Sequence, residues 1–226
     1  MKSSVPSARP STAFRKAAVA GLLAAALAAP SRAGVGKWSS LGPEGGLVSA
    51  LLPDPVSASV VWGGTYGGGL LVSRDAGNHW SRVPTGGLGD VVNDLAAVPG
   101  GALLAATDDG ILRSDDSGAT WQAVNVGLTD SVVYALTVDA GGVIYAGTQS
   151  QGVFRSEDGR RWEAAGPAVP VYALAADPTR PGSIRAATGG SGVLTTGDGG
   201  RSWAPSPAAI ADAFVFDIEI DPGNPS

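Results

Sequence analysis

The sequence contains no cysteine and only one histidine, and these absences exclude several kinds of chemistry. Without cysteine, the chain forms no disulfide bond and cannot be anchored as a cysteine-linked lipoprotein. One histidine, His79, is too few for a typical zinc site, and it is the only available base for a Ser-His-Asp triad. We therefore expect neither a metal ion nor a cofactor.

The chain also lacks an apolar run long enough to cross a bilayer. The longest, residues 17–29, has 13 residues, whereas a spanning helix needs about 20. It ends just before Ser31-Arg32-Ala33, which has small residues where a signal peptidase reads, and it follows a basic segment containing Lys2, Arg9, Arg15 and Lys16. We predict that residues 1–33 are a secretory signal peptide, that residues 34–226 form the domain, and that the protein is secreted or periplasmic with no membrane span after cleavage.

Basic residues are scarce once the predicted signal is removed. Residues 34–226 contain ten Lys and Arg against 20 Asp and Glu, a net charge of −10. Such a charge disfavours nucleic acid and anionic membranes as partners. A protein, a peptide or a glycan remains as the expected partner, and a monomer is the expected state.

Tryptophan recurs at a nearly constant interval. Trp38, Trp80, Trp121, Trp162 and Trp203 are separated by 42, 41, 41 and 41 residues. Three short β-rich stretches lie between successive tryptophans, such as residues 132–139, 143–148 and 152–156, and a fourth begins at each Trp. Four strands in about 41 residues, joined by Gly-rich turns, are typical of a β-propeller blade. We predict an all-β propeller of about four blades plus one strand at residues 214–221; a parallel β-helix is the alternative, although its coils are usually shorter.

The residues before each Trp form a second repeated pattern. They read SRDAGNHW (73–80), SDDSGATW (114–121), SEDGRRW (156–162) and TGDGGRSW (196–203). These segments resemble the Asp-box, or BNR repeat, Ser-x-Asp-x-Gly-x-Thr-Trp. The first has His79 in place of Thr, the third is one residue short, and the fourth has Thr196 in place of Ser. Nearly all of residues 38–226 resembles exported bacterial Asp-box propellers. The repeat sequences are similar to those of the sortilin, photosystem II assembly factor and xyloglucanase propellers.

The chemistry of the box favours a structural role. Its Ser and Asp side chains can accept backbone N–H groups of the turn, its Gly can adopt a conformation that other residues resist, and its Trp can pack between blades. Four such turns on four blades diverge, so their carboxylates form no common site. The residues assigned this structural role are Ser73, Asp75, Gly77, Trp80, Ser114, Asp116, Gly118, Thr120, Trp121, Ser156, Asp158, Trp162, Thr196, Asp198, Gly200 and Trp203.

The resemblance implies that a ligand binds on the side of the disc opposite the boxes. That side is formed by the connections from strand two to strand three and from strand four to the next strand one. Its sizeable polar and aromatic residues could bind a ligand or could be solvated loop residues, and they are Glu44, Tyr66, Asp90, Asp108, Asp109, Asp130 and Gln149.

Two enzyme classes can be compared with the sequence. Sialidase-like members have an arginine trio and a Phe/Tyr-Arg-Ile-Pro motif; the motif is absent, and Arg113 and Arg155 simply precede two box serines. Residues 42–69 resemble the first-blade segment in which xyloglucanase-like members carry a catalytic Asp. In this sequence Thr65-Tyr66 occupies the position where that Asp is expected. We predict a non-catalytic binding module, and the alternative is a glycoside hydrolase with an Asp/Glu acid–base pair.

The repeats also predict an incomplete ring. Trp38 corresponds to a fourth strand, whereas residues 214–221 supply only a first strand, so one blade lacks its second and third strands. We expect the domain to be a C-terminally truncated piece of a longer propeller, and the arc to be open, without pairing between residues 38–41 and 214–221.

Overall fold

The computed structural model describes residues 47–87, 89–206 and 213–223. In these residues the chain forms four antiparallel sheets of four strands each. The first sheet contains β1 (Leu47–Pro53), β2 (Val61–Tyr66), β3 (Gly69–Ser73) and β4 (Ser81–Arg82). The second contains β5 (Val92–Ala97), β6 (Leu103–Thr107), β7 (Gly110–Ser114) and β8 (Gln122–Ala123). The third contains β9 (Val133–Val138), β10 (Ile144–Thr148), β11 (Val153–Ser156) and β12 (Glu163–Ala164). The fourth contains β13 (Val171–Ala176), β14 (Ile184–Thr188), β15 (Val193–Thr196) and β16 (Ala204–Pro205).

Each sheet is a simple meander in which consecutive strands pair. The second and third strands of each sheet are the most buried, and all five residues of β3, β6 and β10 are buried. This pattern explains the continuous apolar runs in the sequence, because a blade packed on both faces has no solvent side that requires alternation. The outermost strands have only two residues and begin one residue after the box Trp, not at it.

The sheets pack face to face in chain order. One apolar cluster joins Leu104 and Ile111 of the second sheet to Ile144, Phe154 and the neighbouring Trp162 of the third. The first strands β1, β5, β9 and β13 contact one another in sequence, and the four described sheets form an arc without closure. The predicted all-β propeller fold with an open arc is confirmed.

Buried aspartates link neighbouring sheets at the end of the first strands. Asp139 Oδ1 accepts the N–H groups of Gly141 and Val143, at 2.8 and 2.9 Å, which closes its own turn. Its Oδ2 accepts the Gly182 N–H of the next sheet at 2.7 Å. Because a buried carboxylate needs such partners, this contact fixes how the two sheets stack.

A β-bulge interrupts every first strand at the same position. The pairing of each first strand with the second skips one residue, and the skipped residues are Ser49, Asn93, Tyr134 and Tyr172. A bulge inserts an unpaired residue and redirects its side chain. The four bulge residues therefore occupy equivalent places on the four innermost strands.

The stretch predicted as a further first strand, residues 214–221, differs from the other four. Only Phe214 forms a bridge, to Gly189, and Val215 N–H donates to Thr188 O at 3.0 Å. No second strand pairs with this stretch among the described residues, so it lacks a ladder although it follows the path of a first strand. Residues 38–41 lie outside the described part of the chain.

Candidate functional site

The meander gives the arc two ends with different connections. The turns between first and second strands and between third and fourth strands, which include the boxes, lie at what we name the box end. The turns between second and third strands and the links between sheets lie at what we name the crossover end. The crossover end consists of residues 66–69, 83–87, 89–91, 107–110, 124–132, 148–152, 165–170, 188–192 and 213–214.

Each box is held by hydrogen bonds within its own turn. In the second box, Asp116 Oδ1 accepts Ser114 Oγ–H and Thr120 N–H, both at 2.8 Å, and Asp116 Oδ2 accepts Thr120 Oγ–H at 2.6 Å. Ser114 Oγ accepts the Gly118 N–H at 2.8 Å. The other three boxes form the corresponding Ser/Thr–Asp and Gly contacts. Both oxygens of Asp116 are thus used locally, and among the described residues no group of three or more acidic or histidine side chains could hold a metal ion.

These hydrogen bonds stabilise the ionised box carboxylates. The pKa of Asp75 falls from 3.8 to about 2, chiefly because the His79 side chain and then its N–H bind the carboxylate. The Thr120 hydroxyl and N–H lower the pKa of Asp116 from 3.8 to about 2 in the same way. The pKa of Asp198 is also lowered, chiefly by the Ser202 hydroxyl. These acids are ionised at any pH near neutrality, as turn formers should be.

We expect the thermal unfolding midpoint to fall as the pH is lowered from about 4 towards 2. The pKa values of Asp75 and Asp116 are lower in the folded chain than 3.8, so their stabilisation is fully present above that value and is lost as the pH falls through about 2. Calorimetry of the chain and of Asp116→Asn measures this effect. The variant should show a shallower loss over this interval, and an unchanged slope would contradict the assignment.

The box tryptophans donate their indole N–H groups in two ways. Trp80 and Trp121 donate to the glycine carbonyls of their own boxes, at 3.0 and 3.2 Å. Trp162 and Trp203 instead donate to the preceding sheet, to Val124 O at 2.8 Å and Ala165 O at 2.6 Å. The latter two therefore join adjacent sheets through a polar contact as well as through packing.

The sequence-predicted residues of the crossover end are dispersed. Asp90 forms an exposed ion pair with Arg82 at 2.7 Å. Tyr66 is 63% exposed and contacts the next sheet only through its bridge to Val91. Asp109 is exposed, and its carboxylate accepts no hydrogen bond from the described residues. Glu44 lies outside the described residues.

One of the predicted residues contacts Tyr134, which sequence reasoning did not select, and two others are linked to its neighbours. Gln149 Nε2 donates to the Tyr134 hydroxyl at 2.9 Å. The next residue, Ser150, donates its N–H and Oγ–H to Asp130 Oδ2, at 2.7 and 2.9 Å. On the other side, Asn93 Nδ2 donates both to Asp108 Oδ1 at 2.8 Å and to the carbonyl before Tyr134 at 2.9 Å. Gln149 thus contacts Tyr134 directly, whereas Asp130 and Asp108 are linked to it through Ser150 and Asn93.

Both carboxylate oxygens of Asp130 accept hydrogen bonds from neighbouring residues. Its Oδ1 accepts the Val132 N–H at 3.2 Å, and its Oδ2 accepts the Gln151 N–H at 3.2 Å in addition to the two Ser150 groups. Burial raises the pKa of Asp130, but these hydrogen bonds outweigh burial and leave the pKa below its ordinary value. Asp130 therefore organises the two loops as a carboxylate.

Three aromatic side chains form a continuous row along the innermost strands. We name Tyr134, Tyr172 and Phe216 the aromatic row. The ring centroids of Tyr134 and Tyr172 are 5.7 Å apart with an interplanar angle of 36°, and those of Tyr172 and Phe216 are 5.2 Å apart with an angle of 29°. All three occupy the same place in the repeat, after an apolar residue at positions 133, 171 and 215, and this shared register was the signal in the sequence. Ser49 and Asn93 stand at that place in the first two sheets.

Charge is distributed unevenly between the two ends. The described crossover-end segments contain four aspartates, namely Asp90, Asp108, Asp109 and Asp130, and no lysine or arginine. The nearest cation in sequence, Arg82, is bound to Asp90. The arginines that precede the box serines reside elsewhere: Arg113 pairs with Asp115 at 2.7 Å and Arg155 with Glu157 at 2.9 Å. Arg113 also donates to Asp158 O of the third box at 3.0 Å, so these two arginines contact the boxes.

Known structures share this architecture. No family model and no curated protein matches the sequence. The GH74 xyloglucanase from Xanthomonas campestris is 22% identical with a TM-score of 0.63, over 84% of this chain and 36% of that one. YCF48 bound to D1 peptide is 18% identical with a TM-score of 0.54, over 77% of this chain and 58% of that one. The extracellular domain of a putative one-component system from B. thetaiotaomicron is 13% identical with a TM-score of 0.57, over 71% and 23%.

These similarities concern the fold. Each identity is below a quarter, and the chain spans about a quarter to a third of the length of the GH74 structures that it matches. Proteins with this fold include glycoside hydrolases, a peptide-bound protein and extracellular sensor domains. The described residues contain no helix that could span a membrane. The four-stranded sheets and the box turns thus place the chain among the Asp-box β-propellers in fold, and the fold alone selects no activity.

Proposed function

We propose that the chain is a non-catalytic, secreted or periplasmic binding module that holds a protein, peptide or glycan partner at the crossover end. The observation that carries this proposal is the aromatic row, in which Tyr134 of β9, Tyr172 of β13 and Phe216 of the stretch after the fourth sheet lie in contact. Tyrosine and other aromatic residues are enriched in the buried centre of binding interfaces.

The carboxylates of the crossover end fit a binding role better than hydrolysis. A glycoside hydrolase needs a carboxylic acid whose pKa is raised so that it can protonate the leaving group. The pKa of Asp130 is lowered. Asp90 is paired with Arg82, and Asp108 accepts the Asn93 amide. Asp109 has no such partner, but it is exposed and lacks the apolar surroundings in which a catalytic carboxylic acid lies.

The compartment and the partner class have separate support. The basic and apolar segments of residues 1–33 are those of an export signal, and structures of the same fold include extracellular domains. YCF48 bound to D1 peptide favours a peptide partner, whereas the xyloglucanase favours a glycan. The structural similarity to the xyloglucanase supports the alternative function, a glycoside hydrolase.

We expect the chain to bind a ligand from a panel of soluble polysaccharides and synthetic peptides without releasing reducing ends. Tyr172→Ala should weaken this binding at least tenfold, because it removes the middle ring of the aromatic row. Tyr66→Ala is the matched control, since Tyr66 is an exposed tyrosine at the same end but outside the row. Calorimetric titration and a reducing-sugar assay give the two measurements.

Two results would contradict the proposal. Turnover of a polysaccharide that is lost in two of the single variants Glu44→Ala, Asp90→Ala, Asp108→Ala and Asp130→Ala would establish the hydrolase instead. Binding that Tyr66→Ala and Tyr172→Ala weaken equally would remove the aromatic row from the site.

A further inference from the structure

We infer that the partner of the crossover end is a basic peptide segment, whose lysine or arginine side chains lie along the aromatic row and reach the carboxylates of Asp108 and Asp109. This inference rests on the proposed binding function and specifies its ligand. Three observations support it: the way the rings stack, the position of the carboxylates, and the absence of cations from the described crossover end.

The stacking of the rings determines which ligand surface they can receive. Tyr172 contacts the Tyr134 ring and the Phe216 ring, at interplanar angles of 36° and 29°. A pyranose ring stacks on an open aromatic face, and the middle ring of the row already has two aromatic neighbours. The row instead presents ring edges and hydroxyl groups, an amphipathic strip along which an aliphatic stem can lie while its charged head reaches a polar group.

The position of the carboxylates supplies the partner for that charged head. Asn93 Nδ2 binds Asp108 Oδ1 and also the carbonyl of Val133, so Asp108 lies one side chain away from the residue before Tyr134. Asp109 follows in the same turn, is exposed, and accepts no hydrogen bond from the described residues. Both carboxylates therefore keep acceptor sites beside one end of the aromatic row.

The aspartates of the crossover end favour a positively charged ligand. Arg82 forms an ion pair with Asp90, whereas no described cation forms an ion pair with Asp108, Asp109 or Asp130. A cationic segment would gain attraction from these three aspartates, and an acidic peptide would be repelled by them. A neutral glycan would gain nothing from them.

The test uses the full chain and a fluorescein-labelled twelve-residue peptide of alternating Lys/Arg and Gly/Ser. Matched peptides carry Gln or Glu in place of Lys and Arg, and a neutral β-glucan oligosaccharide is the second probe. Fluorescence anisotropy should show binding of the basic peptide alone, weakened at least tenfold when the salt concentration rises from about 50 to about 500 mM. The Gln and Glu peptides should not bind measurably.

Variants assign the interaction to the named residues. Asp108→Asn with Asp109→Asn should weaken binding of the basic peptide about tenfold, because each exposed charge contributes a modest attraction. Tyr172→Ala should weaken it further, and Tyr172→Phe should largely retain it because the stacked ring remains. Glu157→Gln removes one charge at the box end and should leave the affinity unchanged. The asparagine variants keep the test valid if Tyr172→Ala does not fold.

The outcomes separate this inference from the proposed function. Binding of the oligosaccharide or the Gln peptide, weakened by Tyr172→Ala, with no binding of the basic peptide, would overturn the inference and leave the binding module intact. Binding of the basic peptide that Glu157→Gln weakens as much as the two asparagine variants together would also overturn it, as general charge attraction. Failure of every probe, with or without polysaccharide turnover, would count against both.

Discussion

Replacing Gly118 by alanine should destabilise the chain by about 2–5 kcal/mol. Gly118 adopts a φ of +79° in the second box, and an added Cβ would lie 1.9 Å from Trp62 Cη2. The left-handed backbone costs a non-glycine residue about 1–2 kcal/mol, and overpacking a core costs about 1–3 kcal/mol more. Trp62 has little room to move, because it is 1% exposed and donates its indole N–H to Asp54 Oδ2 at 3.2 Å.

The first box provides a matched control for this substitution. Gly77 has the same place in its box and a φ of +95°, but an added Cβ would have no atom within 4 Å. Gly77→Ala should therefore cost only the backbone strain, about 1–2 kcal/mol. Urea unfolding followed by tryptophan fluorescence compares the two variants, and equal losses of stability would show that the contact with Trp62 is unimportant.

Replacing Trp162 by alanine should cost about 3–5 kcal/mol, a typical loss for a large buried aromatic residue. Trp162 is 4% exposed and packs in the cluster between the second and third sheets. Its indole N–H also satisfies Val124 O at 2.8 Å, and removal leaves that carbonyl without this donor. The same urea experiment measures the effect.

Two further variants divide this loss into its parts. Trp162→Phe keeps much of the apolar contact but loses the N–H donor, so it should cost about 1–3 kcal/mol. Trp80→Ala should cost less than Trp162→Ala, because Trp80 is only partly buried and donates within its own box. A larger loss for Trp80→Ala would mean that the box tryptophans do not stabilise the arc through cross-sheet contacts.

The boxes and the aromatic row illustrate two different uses of one repeat. The box positions carry nearly the same residue types in all four sheets, since every copy must cap the same turn. The bulge positions instead change from Ser49 and Asn93 to Tyr134 and Tyr172, while the backbone bulge itself is retained. Because the bulge needs no particular side chain, this position is free to acquire a binding role.

Much of the fold could be predicted from local features of the sequence. The interval of about 41 residues between tryptophans predicted a four-stranded blade, and the Ser-x-Asp-x-Gly pattern predicted the box turn. Both features could be predicted because they depend on contacts within one repeat. Residues 214–221 also have the composition of a first strand, and among the described residues Phe214 bridges to Gly189.

The candidate site depended on the tertiary structure. Asp90, Asp108, Asp109, Asp130 and Gln149 could be assigned to one end of the arc from the connections alone, but their partners could not. The shared register of Tyr134 and Tyr172 gives them equivalent positions in the repeat, but spacing alone does not show that their rings are in contact, nor that Asp139 binds a backbone N–H on the next sheet. Contacts within a repeat were therefore determined by the sequence itself, whereas contacts between repeats were decided only when the sheets stacked, because stacking brings together residues about 40 positions apart.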